Sequence, residues 1–484
     1  MTGARRRGGA ARRFHAIVVL VALALCTGCV GADAPTPTAS PPGASPTAVT
    51  PGPHGSGPRE GAPTGGDARL VAGASDDGRH LVDGQGQPLL LRAETVWAVM
   101  QALTLQEATA HLELRAAQGF NAILMSPYPW IGREDDPGQT PDGLRPFDGA
   151  VATLDEAYWS RLDAVLEVAR SLGITVFLAP SGRAAEFAGN GYDYDEDIAG
   201  DLGAALGARY GGTPGIVWLM GVDYDPDRWD ADDPTVLAFV DGLRRGGDTH
   251  LVTIQLFNTS TSSDSPRWRS VAQIEAVYTY RPTYAAVLDA YARNTGPVIL
   301  IEANFEGENN EGGPLTTDET LRRQACWTVT SGGVGVTYGE RHLWKFTPGW
   351  QDARETTAVD ELGVVFDVVG GIRWWELVPD ADGSFLLDGR GGDTTTGTQE
   401  GGFADVLESD RATAAITADG TLAVVYVPTA RTIAVDASRL APGAQAAWVD
   451  PTTGATVPAD PAAPMTTPGT NAGGDEDWLL LIES

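Results

Sequence analysis

The chain has 484 residues, 42% of them hydrophobic, with 60 glycines and a formal net charge of −31. That length exceeds one ordinary domain, and the apolar fraction and glycine content fit a turn-rich α/β protein. So acidic a surface repels phosphate backbones and anionic headgroups, which excludes nucleic acid as a partner and leaves neutral or weakly charged ones.

At the N-terminus, Arg5, Arg6, Arg7, Arg12 and Arg13 precede an apolar run from Ala16 to Leu25. The run is shorter than the roughly 20 residues a membrane-spanning helix needs, so it reads as a signal-peptide core. It ends in "LCTGC", Leu25 to Cys29, which resembles a bacterial lipobox, with Cys26 where leucine is commoner. A signal peptide over 1–29 and a lipid on Cys29 are expected, which would hold the protein at the outer face of the bacterial cell membrane. A cleaved, lipid-free secretory signal is the alternative. With Cys26 removed and Cys29 acylated, Cys326 stands alone, so neither an internal disulfide nor a thiolate metal site is expected. Residues 30–66, including "APTPTASPPGASPTAVTPGP", lack the apolar density for a core and read as a disordered tether.

Strands and turns open the folded part, with Asp77-Gly78 and Asp83-Gly84 as turn formers. Eight short β-rich runs then alternate with helical stretches: 88–97, 120–126, 174–180, 215–223, 251–257, 276–280, 297–303 and 333–339. Leu162, Val165, Leu166 and Ala169 mark one apolar helix face. Eight βα units over 67–380 predict a (β/α)8 TIM barrel. A doubly wound sheet would place a glycine-rich phosphate turn after its first strand, and "AETVWAVMQ" is not one. From 381 to 484 the pattern is strands alone, with an Asp419-Gly420 hairpin turn, predicting a small β-sandwich. The fold class is α/β, followed by an all-β accessory domain.

Barrel enzymes carry their catalytic groups at the C-terminal ends of the strands. Two of those ends are carboxylates after strongly apolar runs: Asp223 on the fourth strand and Glu302 on the seventh. Two carboxylates converging across a mouth with aromatic walls are what glycoside hydrolysis needs, one as proton donor and one as nucleophile or base. Trp97, Tyr128, Tyr280 and Trp344 are candidate platforms for sugar rings, and Glu94, Gln255, Glu306 and Tyr338 complete the candidate substrate-binding set. Glu308 reads as a solvated loop acid, and Trp374-Trp375 as inter-domain packing. The six histidines include no HExxH or His-x-His spacing, and there is no G-x-S-x-G elbow, Walker A motif or dinucleotide fingerprint. No metal or cofactor is expected.

Several stretches, in order, resemble the apiosidase-like catalytic domain of glycoside hydrolases (family 140-like) and its C-terminal collagen-binding-type β-domain. They are "LVDGQGQPLLLRAETVW", "RAAQGFNAILM", "ARYGGTPGIVWLMGVD", "GPVILIEANFEGE", "RRQACWTVTSGGVGVTYGERHLW" and "AAWVDPTTGATV". The resemblance covers about 70 to 484. It implies a retaining, exo-acting hydrolase of polysaccharide side chains, with Asp223 as acid/base and Glu302 as nucleophile. Val222, Gln255 and Glu94 depart from the residues the family usually has there: glycine, histidine and aspartate. Expected partners are a carbohydrate substrate and, through the lipid alone, the membrane; a monomer is expected. The rival reading is a surface lipoprotein that binds glycans on a barrel without catalysis.

Overall fold

The structure is a computed structural model that describes residues 69–130, 138–151, 153–181, 183–226, 228–308, 315–392 and 403–484. The expected signal peptide, Cys29 and the 30–66 tether lie outside the described residues. Among the described residues, no helix is long and apolar enough to cross a membrane.

Strand alternation builds the barrel. In β1 (Leu91–Thr95), Leu91 and Ala93 join Leu124, Phe177, Leu219 and Ile301 in the interior, while Arg92 and Glu94 point outward. Seven further strands follow: β2 (Ala122–Met125), β3 (Thr175–Ser181), β4 (Ile216–Tyr224), β5 (Val252–Leu256), β6 (Glu275–Tyr278), β7 (Val298–Glu302) and β8 (Gly333–Tyr338). They pair in parallel in the order β5-β4-β3-β2-β1-β8-β7-β6, with a short antiparallel strand, Ser260–Thr261, beside β6. The first predicted strand is divided: Pro88–Leu89 belongs to a small antiparallel sheet with Leu81–Asp83 and Val71–Ala74.

Between β5 and β6 side chains complete the wall. The Gln273 backbone N–H donates to the Val252 carbonyl (2.7 Å), and the Thr253 hydroxyl to the Ile274 carbonyl (2.8 Å). The buried Ser262 hydroxyl donates to the Ile254 carbonyl (2.8 Å) and accepts from the Ala276 amide (3.0 Å), standing in for a ladder bond. Helices pack outside, several with sequence-legible caps. Thr104 and Glu107 form a capping box on Leu105–Ala117, and Thr356 caps Thr357–Gly370.

The β-domain has a six-stranded antiparallel sheet facing a three-stranded one over a core that includes Phe385, Val425, Trp448 and Leu480. Its first strand is Leu377–Pro379, inside the stretch that the sequence pattern assigns to the barrel. The helix Asp318–Thr330 joins the two parts. Its Arg322, fully buried, donates to Asp477 (2.9 and 2.7 Å), Asp475 (2.7 Å) and Glu361, and its Trp327 indole donates to the Arg411 carbonyl (2.7 Å).

Breaking such a buried cluster by removing one partner strands the others' charge. Arg322→Met should therefore lower unfolding free energy by about 3–5 kcal/mol, measured by denaturant titration; a loss below about 1 kcal/mol, the range of an exposed pair, would contradict this role.

Candidate active site

Strand β4 ends in a bulge. Gly221 pairs with Gln255 and Tyr224 with Leu256, so Val222 and Asp223 have no partners on β5. Residues 221, 222 and 223 have φ of 86°, 65° and 52°. Glycine takes this region freely, and a Cβ at Gly221 would lie 2.8 Å from the Gln255 carbonyl oxygen. Val222 is β-branched, so its left-handed backbone stores strain on the order of 1–3 kcal/mol. The bulge opens Asp223 to solvent at the mouth, next to Val222 in the aromatic rim.

Glu302 ends β7 at a register shift, where Val277 pairs with Leu300 but Tyr278 with Glu302, and is 8% exposed. Its Oε2 accepts from the Gln255 amide (2.6 Å) and its Oε1 from the Tyr280 hydroxyl (2.9 Å). The Tyr278 hydroxyl lies 2.7 Å from that of Tyr280 and also hydrogen bonds with Asp223 and Glu302. Tyr278 thus links the two carboxyls. The sequence reading missed it, although period-two alternation sets 278 on the same face as 280. Arg183, on the loop after β3, stacks over Trp229 (4.1 Å) and lends Asp223 a compensating positive charge.

Desolvation raises both carboxyls: Glu302 is buried, and Asp223, although it meets solvent at the mouth, is stripped of part of its water by the surrounding walls. That desolvation is the main cause for Asp223, opposed by the Tyr278 hydrogen bond and Arg183. For Glu302, burial and then the Asp223 charge push the group up to about 8 against the pull of Tyr278, Tyr280 and Gln255. Groups this close titrate as a pair, so one proton stays on the site through neutral pH.

The other candidates divide. Trp97, Tyr280 and Trp344 belong to the cluster at the barrel interior and mouth that also holds Val222 and Tyr278. Gln255 is fully buried against Glu302, and its Oε1 has no partner among the described residues. Glu94 is not at the pocket: alternation turns it outward, where it is fully buried against Arg115 (2.5 Å) and His111 (2.8 Å). Burial alone would raise it, but Arg115 and the hydrogen bond with His111 hold it at about 2. Tyr128 lies instead in an aromatic cluster with Trp130 (4.6 Å, stacked), Phe147 and Phe187. Tyr338 also faces outward, donating to Glu306 (2.6 Å), which accepts from Thr356 as well (2.9 Å). Glu306 therefore braces β7 and β8 from outside. Glu308 is half-buried rather than solvated, hydrogen-bonded by Trp344 and near Lys345. Among the described residues no cluster of His, Cys, Asp or Glu could hold a metal ion.

An unfolded Glu302 would lose its proton near 4.5, whereas in the folded mouth the Glu302–Asp223 pair, which shares one proton, holds it to about 8. In that window the native state binds more protons, so this contribution to stability is full below about pH 4.5 and is lost as pH rises to 8. Glu302→Gln should melt near the wild-type temperature at pH 4 and several degrees above it at pH 8. A pH-independent offset in thermal scans would contradict the assignment.

The family model described as "Apiosidase-like, catalytic domain" matches residues 75–376, and one described as "Putative collagen-binding domain of a collagenase" matches 404–483. A solved structure titled "Glycoside hydrolase" superposes with a TM-score of 0.73 at 20% identity, covering 86% of this chain and 97% of that one. A glycoside hydrolase family 5 structure from Bacteroides vulgatus ATCC 8482 gives 0.72 at 19% identity, covering 86% and 93%. No curated protein matches the sequence significantly. The solved structures share the barrel-plus-β-domain fold, and the first match spans all eight barrel strands with both mouth carboxylates: the chain belongs to the apiosidase-like catalytic-domain family, with a glycoside hydrolase-like barrel.

Proposed function

We propose that the protein is an exported, retaining glycoside hydrolase, anchored by a lipid on Cys29, that removes terminal sugars from side chains of polysaccharides or oligosaccharides. The observation that carries the mechanism is the linked set Asp223, Tyr278, Tyr280, Glu302 and Gln255. Each tyrosine has one hydroxyl proton to give. The Gln255 amide is a permanent donor to Glu302, which favours the ionised carboxylate there. Tyr280 then donates to Glu302, Tyr278 donates to Tyr280, and the Tyr278 oxygen is left to accept from a protonated Asp223. Two donor orders satisfy the chain, since the Tyr278–Tyr280 hydrogen bond can run either way; the Gln255 donor favours the one with the proton on Asp223 and the charge on Glu302.

That is the starting state a retaining glycosidase needs. The Glu302 carboxylate attacks the anomeric carbon as the bond to the leaving oxygen breaks, and Asp223 gives that oxygen its proton. Asp223, now ionised, takes a proton from water, whose oxygen displaces Glu302 from the sugar and restores both groups. Trp97 and Trp344 suit the C–H faces of a neutral sugar. Export and the lipid anchor rest on the "LCTGC" segment and the basic, apolar stretch before it.

Kinetics on a panel of alkyl and aryl glycosides test the roles. Asp223→Asn should lose about 10²–10⁴-fold in kcat/KM on alkyl glycosides and far less on aryl glycosides whose leaving groups need no proton, while Glu302→Gln should lose both. Equal losses in Asp223→Asn across leaving groups would remove it as the acid. A wild type that binds sugars but cleaves none would give the chain to the glycan-binding reading.

A further inference from the structure

The Trp374-Trp375 pair does not serve packing alone. Trp374 is 8% exposed and sits edge-on to both His80 (6.1 Å) and Trp375 (5.9 Å). Trp375 is half-exposed, over a cavity of about 500 Å³. The walls come from both parts of the molecule: Leu90 and Gly333 at the N-terminal ends of β1 and β8, and Ala415, Thr417, Ala418 and Asp419 of the β-domain. Strand β8 runs six residues, so the cavity lies about 20 Å from the mouth carboxylates. It is not the catalytic pocket.

Its chemistry is mixed. The tryptophans ride on a short turn fixed by Arg373, which pairs with Glu376 (2.6 Å) and donates to Thr421 (2.6 Å), so the Trp375 ring is presented rather than free to collapse. His80 Nδ1 is buried and has no partner among the described residues, an orphan in need of a donor or acceptor. Burial holds the ring below its ordinary value, so it is neutral. Asp77, Glu376 and Asp419 line the cavity against two cations, Arg79, whose guanidinium lies over the Tyr291 ring (4.0 Å), and Arg373, which pairs with Glu376; the small acidic excess disfavours anionic ligands. The volume falls within the roughly 300–1,000 Å³ of small-molecule sites.

We propose that this crevice is a carbohydrate-binding site separate from the mouth, taking a neutral sugar unit with its C–H face on Trp375 and a hydroxyl on His80 Nδ1. It would hold a polymeric substrate on the enzyme and gives the β-domain a share in that binding. The choice of a sugar as ligand rests on the glycosidase reading above.

The test separates the two claims. Glu302→Gln and Glu302→Gln/Trp375→Ala are compared by affinity electrophoresis in gels of xyloglucan, arabinogalactan or galactomannan. Trp375→Ala in the otherwise wild-type chain is assayed on aryl glycosides. The proposal expects the parent to be retarded by at least one polymer and the double variant to bind it about tenfold more weakly, the loss of one stacked aromatic face. Trp375→Phe should restore most of the binding, and small-substrate kcat/KM should be unchanged. Equal retardation of parent and double variant, or retardation by no polymer, overturns the proposal. If near-UV circular dichroism shows Trp375→Ala misfolded, His80→Ala is judged by the same two outcomes. Failure of the wild type to cleave any aryl glycoside sinks the glycosidase reading, while the gels still decide the crevice.

Discussion

Two carboxyls in one partly desolvated mouth cannot both carry full charge, and much of the barrel's upper half serves that constraint. Glu302 is buried at the end of β7 among Gln255, Tyr278 and Tyr280, and Asp223 reaches the same tyrosine from β4. Like charges so placed raise each other's proton affinity, and burial raises both further. An amide donor on one member breaks the symmetry. Gln255 cannot titrate, so its preference for a charged Glu302 is the same at every working pH. A histidine there would add a charge of its own that varied with pH.

Holding that arrangement costs backbone strain and is supported from outside the mouth. Consecutive left-handed residues at Val222 and Asp223 persist because the flanking pairs, Gly221 with Gln255 and Tyr224 with Leu256, pin both sides of the bulge. Behind β7, Gln324 accepts from the Asn304 side chain (3.2 Å) and donates to the Arg281 carbonyl (2.9 Å), tying together the loops that follow β6 and β7. Gln324 shares its helix with Arg322, which grips the β-domain. One helix thus connects the accessory domain to the backbone that carries Tyr280 and Glu302. A change at the domain junction therefore has a direct route to the site.

Much of this was legible in the sequence. Apolar runs ending in carboxylates marked Asp223 and Glu302, and βα alternation marked the barrel. The misplacements came from naming strand ends without following alternation along each strand. Leu91, Ala93 and Trp97 belong to the interior cluster, so Glu94 must turn outward, to where Arg115 and His111 wait one helix away. Val336 and Tyr338 face the outer layer in the same way. Applied to β6, that rule would have paired Tyr278 with Tyr280. The β4 bulge was not legible: nothing local demands positive φ of a valine, and only the pairing on both sides imposes it. Nor could spacing reveal that Trp375 would look into a crevice, since its far wall is contributed by residues some forty positions later.

The central claim is that Glu302 forms a covalent bond to the sugar while Asp223 moves the proton. The most direct test is the anomeric configuration of the first-formed product, followed by proton NMR during wild-type hydrolysis before mutarotation intervenes. Two displacements at the anomeric carbon predict a product with the configuration of the substrate. A first product of inverted configuration would mean a single displacement by water and would contradict the account.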